Sequence, residues 1–179
     1  AVEALLRGLG LEASALDVFA VTTGPGSFTG LRIGLGSVQG LALASGRPCV
    51  GLSTLDVLAG AAAGSSGTVV ALVDAFRGEV YSGVYDAAGG LRRPRGVSAL
   101  AAALLGLPTG TAFVGAPALE HREAIRAVVP GAVFPVSAEF LAAPLAAAAL
   151  RLAASGATVS ASGLRPLYLR GVDVRPSPA

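Results

Sequence analysis

The run Asp17-Val-Phe-Ala-Val-Thr22, continued from Thr23 to Gly40 as TGPGSFTGLRIGLGSVQG, decides the fold. Continuous apolar residues over Asp17 to Thr22 predict a strand buried on both faces. The turn from Thr23 to Phe28 then opens a helix predicted over Thr29 to Ser45. Pro48 to Leu52 reads as a second buried strand, and Ser53 as the N-cap of a short helix ending near Gly64. Strand, helix, strand, helix is the alternation of an α/β layer.

Downstream of Gly64-Ser-Ser-Gly67 the pattern restarts. Thr68 to Asp74 and Glu79 to Tyr85 read as antiparallel strands joined by a turn at Ala75 to Gly78. Gly89-Gly90 permits a third strand. Helical patterning follows at Ser98 to Leu105, a strand at Thr111 to Gly115, a helix at Pro117 to Val128, a short strand at Ala132 to Phe134, a long helix at Ser137 to Ser155, and an extended segment at Leu164 to Arg175. The upstream patterning, Val2 to Leu9, is helical. The economical reading is two α/β lobes, over residues 1–66 and 67–160, with an extended tail over 161–179. The chain opens without Met inside helical patterning, so an upstream segment is expected.

Composition bounds the function. With 53% hydrophobic and 13% charged residues among 179, the chain has the material for a packed core and lies outside the disordered class. Thirteen basic against 11 acidic residues is far from the dense basic surface that autonomous nucleic-acid binding needs. Each long apolar stretch is broken before about 18 residues accumulate, too short to span a membrane. The single cysteine, Cys49, cannot form an internal disulfide, so a cytoplasmic protein is expected and Cys49 reads as a core residue.

The glycines of Thr23 to Gly40 admit two readings. Gly24, Gly26 and Ser27 could cradle an anion at a helix N-terminus. Alternatively, Gly24 and Gly26 shape a tight turn while Gly30, Gly34, Gly36 and Gly40 allow close packing. The run matches neither a Walker A loop nor a dinucleotide fingerprint, which favours packing. At 100° per residue, Gly30, Ile33, Gly34, Val38, Leu41 and Ala44 share one side, suited to the lobe's own sheet. The other side carries Arg32, Leu35, Gly36, Gln39, Gly40 and Leu43 and is too apolar for water. That predicts a partner surface, flanked by Leu5, Leu6 and Leu9. The competing reading is a core helix covered within its own chain.

Other candidates carry less. In Asp74-Ala-Phe-Arg-Gly78 the bulk of Phe76 opposes close approach of a phosphate to the backbone. Asp74, Arg77 and Glu79 form either a functional cluster or a turn-stabilising salt bridge. His121 is the sole histidine, without ligating neighbours at metal spacing, and Glu120 and Glu123 beside it read as a solvated face. Ser27 does not meet the nucleophile-elbow pattern, since Pro25 stands two residues before it. Arg92, Arg93 and Arg95 form the only basic run, read as a solvated loop or, within a complex, a contact to nucleic-acid phosphate. No cofactor or metal is expected.

Thr23-Gly-Pro-Gly-Ser-Phe-Thr-Gly-Leu-Arg-Ile-Gly34, Gln39-Gly-Leu-Ala42, Gly51-Leu-Ser-Thr-Leu55, Asp74-Ala-Phe-Arg-Gly-Glu-Val-Tyr81 and Pro166-Leu-Tyr-Leu-Arg170 together resemble the TsaB (YeaZ) family. The resemblance implies two ribonuclease-H-like lobes of the actin and Hsp70 (ASKHA) superfamily, the first lacking its opening strands here. It implies a non-catalytic partner of TsaD, within the wider TsaD/TsaE complex, in making threonylcarbamoyladenosine on tRNA. It also implies binding through a helical bundle that includes the glycine-rich helix, a homodimer in isolation, and only indirect contact with tRNA. The paired-histidine metal motif of TsaD has no counterpart in this sequence. An ATP-binding phosphotransferase of the same superfamily and a self-associating structural protein are the competing functions.

Overall fold

A computed structural model describes residues 2–135 and 140–170. In the first lobe, β1 (Phe19–Gly24) and β2 (Cys49–Ser53) pair in parallel, in register from Phe19 opposite Cys49 to Thr22 opposite Leu52. Their connection is α2 (Phe28–Ser45). Ser27 starts this helix, its hydroxyl accepting from the Gly30 N–H at 3.3 Å, and Gly46 ends it in the left-handed conformation (φ 68°). The short α1 (Val2–Gly8) precedes this unit. Ser53 caps α3 (Thr54–Ala61) by accepting from the Leu55 N–H at 3.2 Å, as its place before an apolar run predicts.

The second sheet has the order β5-β4-β3-β6, built from β3 (Thr68–Asp74), β4 (Glu79–Asp86), β5 (Leu91–Ala99) and β6 (Ala112–Val114). The first three are antiparallel neighbours and β6 runs parallel to β3. Val133 adds a single parallel bridge to Ala112, which is what remains of the strand expected at Ala132 to Phe134.

Strand β3 is covered on both faces because its side chains alternate between two clusters. Val70 and Leu72 pack with Phe113, Ile125 and Val129. Val69 and Ala71 pack with Leu55, Leu58, Tyr85 and Val114. Helix α3 thus supplies apolar residues to the second lobe's core. The first lobe closes on Phe19, Val21, Leu35, Ala42, Cys49 and Leu164.

Two expectations are corrected. The predicted helix at Ser98 to Leu105 begins late: the ladder persists through Ser98 opposite Val80 and Ala99 opposite Glu79, leaving only α4 (Leu100–Ala103). The helix predicted over Pro117 to Val128 is two, α5 (Ala116–Glu120) and α6 (Arg122–Val128), because His121 leaves helical geometry (φ −103°, ψ 20°). The long helix α7 spans Ala142–Ala154, and its expected start at Ser137 lies outside the described residues. Helix α7 packs on β1, β2 and α3.

The C-terminal segment stays with the first lobe. Val159 and Cys49 exchange backbone N–H···O bonds of 2.8 Å, a 3-10 turn follows at Ala161–Gly163, and the Leu167 N–H donates to the Thr23 carbonyl at 2.8 Å. Leu164 to Arg170 adopts neither helix nor strand, as expected; the rest of the predicted extension, to Arg175, lies outside the described residues. Among the described residues no helix is long and apolar enough to cross a membrane.

Candidate partner face and interlobe cleft

Helix α2 is covered on one side only. Its inner side rests on β1, β2 and the 3-10 turns, with Leu35 5% exposed and Ala42 buried. Its outer side leaves Ile33 65% and Leu43 78% exposed, with Arg32, Ser37 and Ala44 also exposed. A Cβ added at Gly36 or Gly40 would have nothing within 4 Å beyond the helix itself. These residues recur at spacings of three and four and form one continuous stripe.

The stripe differs from the expected one by a rotation of the helix. Arg32, Gly36, Gly40 and Leu43 face outward as expected, but Leu35 and Gln39 do not. Leu35 is core. Gln39 turns inward, its Nε2 donating to the carbonyls of Ala161 (3.2 Å) and Leu164 (3.3 Å), which satisfies the side-chain amide on the covered side of the helix. Ile33, Ala44 and Gly30, expected against the sheet, are exposed, whereas Gly34 does face it: a Cβ added there would lie 3.9 Å from Val21 Cγ2. Leu5 on α1 and Leu9 just beyond it are exposed, and Leu6 is buried.

Gly24 answers the choice between cradle and packing at its own position. Its φ is 113°, and an added Cβ would lie 2.9 Å from the Leu167 carbonyl oxygen, so only glycine lets the C-terminal segment approach. The Ser27 hydroxyl is occupied as the cap of α2. Gly26 and Ser27 also border a cavity of about 620 Å³ between the lobes, shared with Thr54, Asp74, Phe76 and Gly115. That lining contains a carboxylate and no cationic side chain, a poor match to phosphate. Phe76 and Arg77 both take left-handed backbone (φ 60° and 58°), and the Asp74 carboxylate holds the turn by accepting from the Phe76 N–H at 2.8 Å. The salt bridge considered within Asp74, Arg77 and Glu79 is not the one formed: Glu79 pairs with Arg170.

The basic run is not a loop but part of edge strand β5, where Pro94 is tolerated. Each arginine is engaged within the chain. Arg92 lies 3.6 Å from Asp86, and Arg93 donates to the carbonyls of Ala103 (3.2 Å) and Leu105 (2.8 Å). Arg95 grips Asp56 of α3 through Nε (2.9 Å) and Nη2 (2.6 Å).

Asp56 also accepts from the Tyr85 hydroxyl at 2.7 Å, which makes an Asp56–Tyr85–Arg95 lock between the lobes. Burial, reinforced by the Asp56 carboxylate, pushes the Tyr85 phenol above its ordinary range. Burial works against the Arg95 charge, but its hydrogen bonds to Asp56 and Tyr85 prevail and hold it above the ordinary guanidinium range. The sequence reading missed this lock. Its one signal was a lone carboxylate in the apolar run Leu55 to Gly60, which requires a partner if buried. Burial also raises the Cys49 thiol, in keeping with an inert core residue.

Comparison with known proteins places the chain. Residues 1–165 match the family model described as TsaD: tRNA N6-adenosine threonylcarbamoyltransferase. The tRNA threonylcarbamoyladenosine biosynthesis protein TsaB of Escherichia coli is 42% identical over 87 residues, 48% of this chain and 38% of that protein. An uncharacterized protein of Mycobacterium tuberculosis is 34% identical over 175 residues, 98% of this chain and 74% of its own length. Among solved structures, a Pseudomonas aeruginosa protein described as similar to peptidase YeaZ superposes with a TM-score of 0.79 at 32% identity, covering 94% of this chain and 81% of its own. The matches to the curated TsaB proteins of Escherichia coli and Bacillus subtilis span only 38% and 40% of their lengths. The family model carries the TsaD description, while the TsaB relatives and the YeaZ structures agree with each other, and the chain belongs to the TsaB (YeaZ) family.

Proposed function

We propose that this chain is a non-catalytic subunit in threonylcarbamoyladenosine biosynthesis that binds TsaD through the outer face of α2. The observation that carries the reading is the uncovered stripe of Ile33, Gly36, Gly40 and Leu43. Glycine inside an exposed helix costs about 1 kcal/mol against alanine, and two bare glycines flanked by exposed apolar residues recover that cost when another helix packs closely on them. The TsaB names carried by relatives favour TsaD as the neighbour. The two lobes are read as ribonuclease-H-like, supported in the second by the order β5-β4-β3-β6 with Val133 beyond β6.

Gly36→Trp and Gly40→Trp test it. A side chain at either position meets open space, so both variants are expected to keep the parent's thermal unfolding curve. Sedimentation with TsaD is expected to report a loss of affinity of at least about 30-fold, the size of a hot-spot loss. Undiminished complex formation would overturn the reading. Loss of self-association with retained TsaD binding would reassign the face to a second copy of the chain.

A further inference from the structure

A second cavity, of about 370 Å³, lies where the start of α2 meets β4 and the C-terminal segment. Leu31, Leu167 and Leu169 give it an apolar lining, and Phe28, Tyr81 and Tyr168 contribute aromatic rings. The Phe28 and Tyr168 ring centroids are 6.0 Å apart at 34°. The Arg32 guanidinium carbon sits 3.9 Å from the Phe28 centroid. Stacking uses the face of a guanidinium and leaves its in-plane N–H donors available. Among the described residues no carboxylate pairs with Arg32, whereas Arg170, the other cation of the lining, is already paired with Glu79.

We propose that this cavity binds a small aromatic acid, its ring among Phe28, Tyr168 and the leucines and its carboxylate on Arg32. The volume suits a ligand of one or two rings. The charge favours an anion: the in-plane donors of Arg32 can hydrogen-bond a carboxylate, whereas a cation would meet an uncompensated positive charge. Arg32 also lies on the outward stripe of α2, but the cavity is formed by this chain alone and needs no second protein.

The chain has no Trp, so the fluorescence of an added indole reports its binding directly. Titration of the isolated chain with indole-3-acetate is expected to saturate, with tryptamine at least about ten-fold weaker. Arg32→Gln, at an exposed position, is expected to weaken indole-3-acetate about ten-fold while leaving neutral indole unchanged. Tyr168→Ala is expected to weaken both acid and indole about three- to ten-fold. Equal binding of acid and amine, an Arg32→Gln variant that binds the acid normally, or no saturation would each overturn the proposal. None of these results depends on whether TsaD binds.

Discussion

Helices α2 and α3 are both apolar, yet the structure uses them in opposite ways. Helix α3 buries Leu55, Val57, Leu58 and Ala59 within eight residues, whereas α2 buries only Leu35 and Ala42 within eighteen. The difference lies in their neighbours. Helix α3 stands between the two sheets and also meets α7, while α2 has the first sheet and the C-terminal segment on one side and, among the described residues, nothing on the other. An apolar helix is therefore not by itself a core helix. The number of layers that reach it determines how much of it is hidden.

The contrast can be broken most directly at paired leucines. Leu55→Ala is expected to cost about 2–5 kcal/mol, because Leu55 is 0% exposed, while Leu43→Ala should stay within about 0.5 kcal/mol. Urea denaturation measures both, and comparable losses would erase the distinction between the helices.

The next largest effect is expected at the lock. Asp56→Asn should destabilise by about 1–3 kcal/mol, at the lower end because the Arg95–Asp56 pair keeps 29% and 28% of its side-chain exposure. Adding Arg95→Gln should then cost less than it does in the parent chain, the signature of coupled partners in a double-mutant cycle.

On α2 the expected change has the opposite sign. Gly40→Ala should raise stability by about 0.5–1 kcal/mol, since the helix gains propensity and the new methyl group meets nothing. A fall in Tm would mean that the position is covered after all.

The smallest effect is one of pH. The folded state raises the Tyr85 pKa, so stability from this group is complete below the ordinary phenol value of 10.0. It falls above that value, where the unfolded chain releases the proton and the folded chain keeps it. Tyr85→Phe should flatten this alkaline decline in the urea midpoint, and an unchanged decline would remove Tyr85 from the lock's titration.

Much of this architecture was legible because local signals were strong. Ser53 before an apolar run marked the cap of α3, the end expected for α2 at Ser45 is where the helix stops, and the turn at Ala75 to Gly78 joined β3 to β4 in the expected antiparallel sense. The face of α2 was half legible. A wheel fixes which residues share a side but not which side meets the sheet, and a helix apolar nearly all round offers little to orient it. Gln39 supplied the deciding contact, and its acceptors lie more than a hundred residues away at Ala161 and Leu164.

Sequence alone determined most of the elements, the family motifs and the presence of an apolar, glycine-rich helix, because caps, periodicity and glycine placement act over a few residues. Tertiary structure decided the rotation of that helix, the return of α7 and the C-terminal segment to the first lobe, and the Asp56–Tyr85–Arg95 lock. Each of those depends on burying apolar surface and pairing polar groups between residues distant in the chain, which no local pattern encodes.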